Sequence, residues 1–305
     1  MAVLLGTHDG YRTFRSSGAE DTALAGRSVD AFTPGPADTW VAIVDGSEVW
    51  SYGADEQWSV LARSEHVLVS LAAAGDVVFA GTGEARMVRC VGGGVEPLDA
   101  FDAAPGRDEW HQVGAPIEVR SLTASCDGAV VYANVHVGGV LRSSDGGQSW
   151  APTMPVDNDV HQVVAHPDRP EVVAAAAAIG LLRSHDAGRT WALETGGLPS
   201  TYSRGLALDG DDLWLSAASG PMARHASLFH GDADAGGLAA AGDGLPEQLD
   251  GMIDTRFVAA RDGRVAVATR AGEVWARPDA SLGWEHLATG IAGATCVAVT
   301  GTGRW

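Results

Sequence analysis

Seven short segments of the chain share one pattern: a first residue that is mostly charged, any residue, then Val or Leu. They are Arg27-Ser28-Val29, His66-Val67-Leu68, Arg120-Ser121-Leu122, His161-Gln162-Val163, Arg204-Gly205-Leu206, Arg256-Phe257-Val258 and Thr295-Cys296-Val297. The first position is Arg in four segments, His in two and Thr in one. Arg presents a planar fork of donors that matches a carboxylate or a phosphate. His changes charge close to neutral pH. Two residues ahead of four first positions stand Glu118, Asp159, Tyr202 and Asp254. Several arginines round one point repel each other unless carboxylates or a bound anion offset them. The pattern therefore predicts a site for an anionic small molecule, with Arg27, His66, Arg120, Glu118, Arg204, Arg256 and His8 as ligand-binding residues. In a catalytic version, His136 or His161 would exchange a proton, oriented by Asp159 or Asp254, with Tyr202 as a second acid. Arg120, Arg204 and Arg256 would then stabilise developing negative charge. Such a set suits hydrolase, lyase or isomerase chemistry on an acidic small molecule.

These residues can meet only if the segments that carry them surround one axis, and the repeats of the chain supply that arrangement. The stretch from Gly139 to Trp150 returns as Gly180 to Trp191, 41 residues later (180 − 139), and both read as strand, tight turn, strand. Used as a ruler, this unit places third strands at Thr13-Phe14-Arg15, Glu48-Val49-Trp50, Arg86-Met87-Val88, Val140-Leu141-Arg142, Leu181-Leu182-Arg183, Ser227-Leu228-Phe229 and Glu273-Val274-Trp275. Seven units of four short strands, separated by Gly, Asp and Pro turns, predict an all-β, seven-bladed β-propeller of four-stranded blades. The final apolar stretch, Ala294 to Val299, has no blade of its own, and the first, Val3-Leu4-Leu5, lacks an inner partner. Pairing them removes two exposed strand edges. The expected organisation is thus one domain over 1–305, with blade one closed by both termini from 2–26 and 292–300. Inner strands then start at the open mouth of the axis, and the turns carrying His8, His136, His225 and Arg270 reach the same face. Two stretches break the spacing, 101–116 with Asp108 to His111, expected to overhang the mouth, and 216–250.

The Ser-x-Asp-x-Gly-x-Ser/Thr-Trp turns at Ser143–Trp150 and Ser184–Trp191 resemble the Asp-box, or bacterial neuraminidase repeat, of sialidases and other WD40/YVTN/BNR-like propellers. That resemblance implies a structural role for Asp145 and Asp186 on the outer edge of a blade. Sialidases hold a substrate carboxylate with three arginines beside an acidic residue and a Tyr. This chain lacks their Arg-Ile-Pro signature and has seven units where they have six blades, so sialidase activity is not expected. The chain is also similar to repeat proteins related to photosystem II assembly factors. Asn134-Val135-His136, Asp159 to Pro167, Thr201 to Arg204 and Asp250 to Arg256 resemble actinobacterial propeller proteins of the same length, a similarity that implies fold and no activity.

Composition narrows the classes further. Hydrophobic residues make up 46 %, enough for a large core, and no apolar run reaches the roughly 18 residues of a membrane span. The beginning of the chain has no basic segment ahead of an apolar one, so a cytoplasmic protein is expected. Net charge is −19, with no Lys, which argues against binding to nucleic acid or an anionic membrane. Cys90, Cys126 and Cys296 lie far apart and are expected as buried thiols. No cofactor is predicted. An alternative is a transition metal at the axis on His8, His66, His136 and His161, although His-x-His and Cys-x-x-Cys spacings are absent and arginines would repel a cation. A second alternative is a protein-interaction or assembly scaffold, with Trp40, Trp58, Trp110 and Trp284 as candidates for an exposed patch.

Overall fold

In the computed structural model, which describes residues 2–15 and 20–301, seven antiparallel sheets of four strands form a β-propeller, the sixth sheet carrying an extra short strand. The expected range of blade one includes residues 16–19, which lie outside the described residues. Second strands such as Val131–Val135 and Val173–Ala177 are buried along their whole length, because a middle strand has a neighbouring blade against each face. Each of the seven predicted third strands occupies that position in its sheet. We number the blades I–VII. Blade I orders its strands as Ala294–Thr300, Ala2–Thr7, Gly10–Arg15 and Glu20–Ala23. The inner strands of blades II–VII are Val29–Pro34, Leu68–Ala74, Val119–Ala124, Val160–Ala165, Tyr202–Asp209 and Val258–Arg261. Each inner strand touches the next, and Ala294–Thr300 touches both Val258–Arg261 and Val29–Pro34, so the ring is complete.

The two repeated turns are held from within. Asp145 accepts the Ser149 amide (2.9 Å), the Ser149 hydroxyl (2.6 Å) and the Ser143 hydroxyl (2.8 Å). Asp186 takes the corresponding bonds from Thr190 and Ser184. The Ser149 bonds, foremost, hold the Asp145 carboxyl down at about 2. Trp150 lies buried behind its turn, edge-on to Phe101 at 5.1 Å. The irregular stretch 101–116 packs here: Phe101 is fully buried and Trp110 lies over it, 5.7 Å away. Phe101 and Trp110 are drawn into the seam of blades III and IV, while the end of the stretch stays at the mouth, where the His111 amide donates to the Val137 carbonyl and Ala115 lines the axial cavity. Cys296 is buried, but Cys126 is exposed in the turn Ser125 to Gly128.

One irregularity recurs at the start of the inner strands. Pairing with the second strand skips Asp30 in blade II, Val69 in III, Arg120 in IV, His161 in V, Arg204 and Gly205 in VI, and Thr295 in I. An extra residue in one strand is a β-bulge, which bends the strand and re-aims a side chain. Blade VII goes further. Its inner strand starts only at Val258, and the chain before it turns inward through Arg256, whose φ of 68° is left-handed. A non-glycine residue holds that conformation only where its surroundings enforce it. Here the Arg256 amide donates to Gln162 Oε1 (3.1 Å), Val297 donates to the Arg256 carbonyl (2.9 Å), and the Thr255 hydroxyl donates to the His161 carbonyl (3.2 Å). Gln162 Oε1 also accepts the Leu206 amide, and its Nε2 donates to the Leu206 carbonyl (3.0 Å), so one side chain ties blades V, VI and VII.

Replacing Gln162 by Leu keeps the bulk but leaves three buried main-chain groups without partners. We expect a loss on the order of 2–5 kcal/mol in chemical denaturation. Gln57→Leu, at an exposed position, should stay within about 0.5 kcal/mol of the wild type. Equal midpoints for the two variants would contradict this role.

Candidate functional site: the axial mouth

The inward turn of blade VII gives the mouth its floor. From Arg256 a guanidinium nitrogen reaches across the axis and donates to the carbonyl of Val69 in blade III, and at 3.5 Å to that of Arg120 in blade IV. Beside it opens a cavity of about 830 Å³, lined by residues of blades I–IV, VI and VII. Six of the seven ring positions defined by the bulges and the blade VII turn line it: Asp30, Val69, Arg120, Arg204, Arg256 and Thr295. The turns bring His8, Asp45 and Arg270.

The predicted ligand-binding residues divide on this geometry. Arg120, Glu118, Arg204, Arg256 and His8 line the cavity. Arg27 and His66 are not ring residues, which corrects the register expected for blades II and III. Arg27 lies in a turn and binds Asp45 and Glu48 (2.6 Å to the latter), and His66 lies in a bend 3.9 Å from Glu84. The reason is the spacing of the apolar residues. The residue before the bulge and the one two places after it are both apolar and three apart: Val29 and Phe32, Leu68 and Leu71, Val119 and Leu122, Val160 and Val163. A three-residue slip therefore preserves the pattern and exchanges Asp30 for Arg27 and Val69 for His66. Asp30 and Val69 were missed, and Phe32 and Leu71 were the signal that could have found them.

Among the predicted catalytic residues, Asp254 is on the cavity wall. It receives two bonds from Arg204 (3.1 and 3.2 Å) and one from Arg270 Nε. Burial pushes its carboxyl up, but Arg204, Arg270 and the Thr255 amide outweigh that and hold it below its usual range. His136, Asp159, His161 and Tyr202 come together as predicted, but as a cluster behind the wall. His161 is fully buried, so it cannot touch a ligand in the cavity. Its Nδ1–H donates to the Ser203 carbonyl (2.7 Å), which leaves Nε2 to accept the Tyr202 hydroxyl (3.2 Å), itself an acceptor for Arg204 Nη2 (3.0 Å). His136 Nδ1–H likewise donates to the Pro116 carbonyl (3.1 Å). Asp159 Oδ1 lies 3.6 Å from His136 Nε2, and its Oδ2 lies 3.6 Å from His161 Nε2. Burial is the main cause that pushes His161 down, to about 4, with Arg120 and Arg204 adding to it against Asp159 and the Ser203 carbonyl. Burial and then Arg120 lower His136 in the same direction.

The four histidines of the metal alternative do not converge. His136 and His161 stack with centroids 6.4 Å apart, whereas His8 stands beside Ser28 and His66 beside Glu84. Among the described residues, no group of three or more His, Cys, Asp or Glu side chains is placed to share one ion. The four tryptophans considered for a scaffold face do not form one. Trp284 is buried, and Trp40, Trp58 and Trp110 are half-buried against other rings or arginines.

Fold and mouth together define a seven-bladed β-propeller with a polar axial cavity. No family model and no curated protein matches the chain. Solved structures do. A xyloglucanase of glycoside hydrolase family 74 from Xanthomonas campestris aligns over 85% of this chain and 46% of its own, at 16% identity and a TM-score of 0.59. An enzyme of the same family from Niastella koreensis aligns over 90% of this chain and 40% of its own, at 13% identity and 0.59. The WD40 propeller domain of Doa1 aligns over 85% and 86%, at 14% identity and 0.56. The chain thus spans less than half the length of the two glycoside hydrolases, and at such identities the likeness carries the fold alone.

Buried neutral histidines predict a pH dependence of stability. His161 has a lower pKa folded than unfolded, where it is about 6.5, so the unfolded chain binds the extra proton first. Stability from this source is complete above about pH 6.5 and is lost as pH falls towards about 4, on the order of 3 kcal/mol in total. Carboxylates such as Asp145 add their loss only below that window. Urea midpoints should fall between pH 6.5 and 4, and His161→Gln should flatten the slope. A flat wild-type profile over this range would contradict the neutral assignment.

Proposed function

We propose that the axial cavity binds a small anionic molecule through a carboxylate or phosphate group. The observation that carries this reading is the state of Arg256. Its guanidinium lies on the cavity wall and is held by main-chain carbonyls, and among the described residues no carboxylate lies within 4.0 Å of it. Carbonyl dipoles orient the fork but supply no counter-charge, so an anion arriving there meets a cation already stripped of competing carboxylates. Arg204 and Arg270 share the single carboxylate of Asp254, which leaves further positive charge on the same side. The reading is one of binding. A hydrolase, lyase or isomerase step would need a proton carrier on the wall, and His8, Glu118 and Asp254 are the candidates there, because His136 and His161 stand behind it. The xyloglucan chemistry of the family 74 neighbour gives no reason to choose among such steps.

Calorimetric titration with inorganic phosphate and short mono- and dicarboxylates at low salt tests this. At least one anion should bind, and Arg256→Met should weaken it by about tenfold or more. Arg270 is two-thirds exposed, so Arg270→Met should weaken binding by a smaller factor without loss of fold. Arg89→Met, at an exposed pair with Glu96, should change nothing. No binding by any anion, or binding indifferent to both wall variants, would overturn the proposal.

A further inference from the structure

The cavity wall carries four arginines and four carboxylates, and their pairing is uneven. Arg120 is paired with Glu118 at 3.1 Å, and Arg204 and Arg270 with Asp254. Asp45 is paired with Arg27, just outside the wall. Two ring residues remain, Arg256 and Asp30. Asp30 takes only neutral donors, the Ser28 hydroxyl and the Gly46 amide (3.0 Å), and among the described residues no cationic group lies within 4.0 Å of it. The positions are close in the ring. Asp30 occupies the bulge of blade II, and the Arg256 guanidinium ends at Val69, the bulge residue of the adjacent blade III. Both charges act on the buried Cys296 thiol, in opposite directions. They nevertheless do not form an ion pair with each other. A cation ending on blade III and an anion on the adjacent blade II, left apart and facing one open volume, are complementary to a ligand that carries the opposite arrangement.

We propose that the ligand is a zwitterion of the amino-acid or ω-amino-acid type, with its carboxylate or phosphate on Arg256 and its ammonium on Asp30. This rests on the anion-binding reading and deepens it. The charge of the whole molecule points the same way. At −19 the protein repels free anions at long range, whereas a ligand without net charge pays no such penalty on approach and is sorted only by the local field of the mouth. An ammonium also supplies several N–H donors to a carboxylate whose present partners are a hydroxyl and an amide. Asp30→Asn keeps the shape and one of the two acceptor oxygens, exchanges the other for an NH2 group that can donate to the Ser28 hydroxyl, and removes the charge.

The test is a matched titration of the intact protein. One series is glycine, β-alanine, 4-aminobutyrate and 6-aminohexanoate. The second is the same acids without the amine, and the third is their N-acetyl forms. At the chain length that fits, the zwitterion should bind about tenfold or more tighter than its amine-free and N-acetylated counterparts. Asp30→Asn should erase that advantage while leaving the binding of the plain acids unchanged, and Arg256→Met should weaken all three series. The N-acetyl comparison needs no variant, so it decides the matter even if Asp30→Asn perturbs the fold. If plain acids bind as well as the zwitterions at every length, the zwitterion inference fails and the anion reading stands. If no member of any series binds, the zwitterion inference fails, and the anion reading fails with it when inorganic phosphate does not bind either; if Arg256→Met has no effect on the members that do bind, both fail.

Discussion

A single cation crossing the axis organises this propeller's mouth. The Arg256 side chain starts on blade VII and ends on the carbonyls of blades III and IV, spanning the ring at its widest. To launch it, the chain gives up the first residues of an inner strand, adopts a left-handed residue and takes partners from blades I and V. A buried or half-buried guanidinium needs its donors satisfied. The β-bulges on the opposite blades free the carbonyls that receive one of its terminal nitrogens, because a skipped residue leaves its main-chain groups out of the ladder. The irregularities on both sides of the axis are therefore parts of one device, in which the backbone of one half receives a side chain of the other.

From that constraint follows the division of the mouth into an open cavity and a closed cluster. The inward turn at Asp254 to Arg256 separates the 830 Å³ volume from blade V, whose ring residue His161 is buried while the other six are not. Behind the wall the tautomers of His136 and His161 are fixed by carbonyl oxygens, and Tyr202 links His161 to Arg204. This chain of bonds holds Arg204 from the rear while Asp254 holds it from the side. It supports the charged wall from behind, because a preorganised charge needs rigid neighbours. The cavity itself is polarised, with surplus positive charge from blades VI and VII and a single unopposed carboxylate on blade II.

Much of the fold was legible in the amino-acid sequence, because propeller blades repeat their turn chemistry. Ser143, Asp145 and Trp150, with their copies at Ser184, Asp186 and Trp191, set the period that located every third strand. The ring was legible in five of the seven blades, with the uncharged Thr295 among the residues found. Arg120, His161, Arg204 and Arg256 were found, but Asp30 and Val69 were hidden by a three-residue spacing of apolar side chains that fits two registers equally well. What no pattern could reveal is the direction of a side chain after an irregular turn. Arg204 and Arg256 look equivalent as residues, yet one is neutralised by Asp254 and the other spans the axis without a counter-charge. That difference comes from the left-handed turn at Arg256, and neither residue type nor spacing encodes it.

The most direct test of this account is to watch the arginine side chains themselves. The protein has 20 basic residues, all arginine, so a spectrum selective for ¹⁵N-arginine side chains contains few signals. The Arg256 Nε–H should be protected from exchange and well dispersed in the free protein. On addition of a carboxylate or phosphate ligand it should shift more than any other, with Arg204 and Arg270 next and Arg27 and Arg89 unmoved. An Arg256 signal that exchanges as freely as that of Arg89, or that ignores ligands which move other arginines, would contradict the claim that this one side chain builds and serves the mouth.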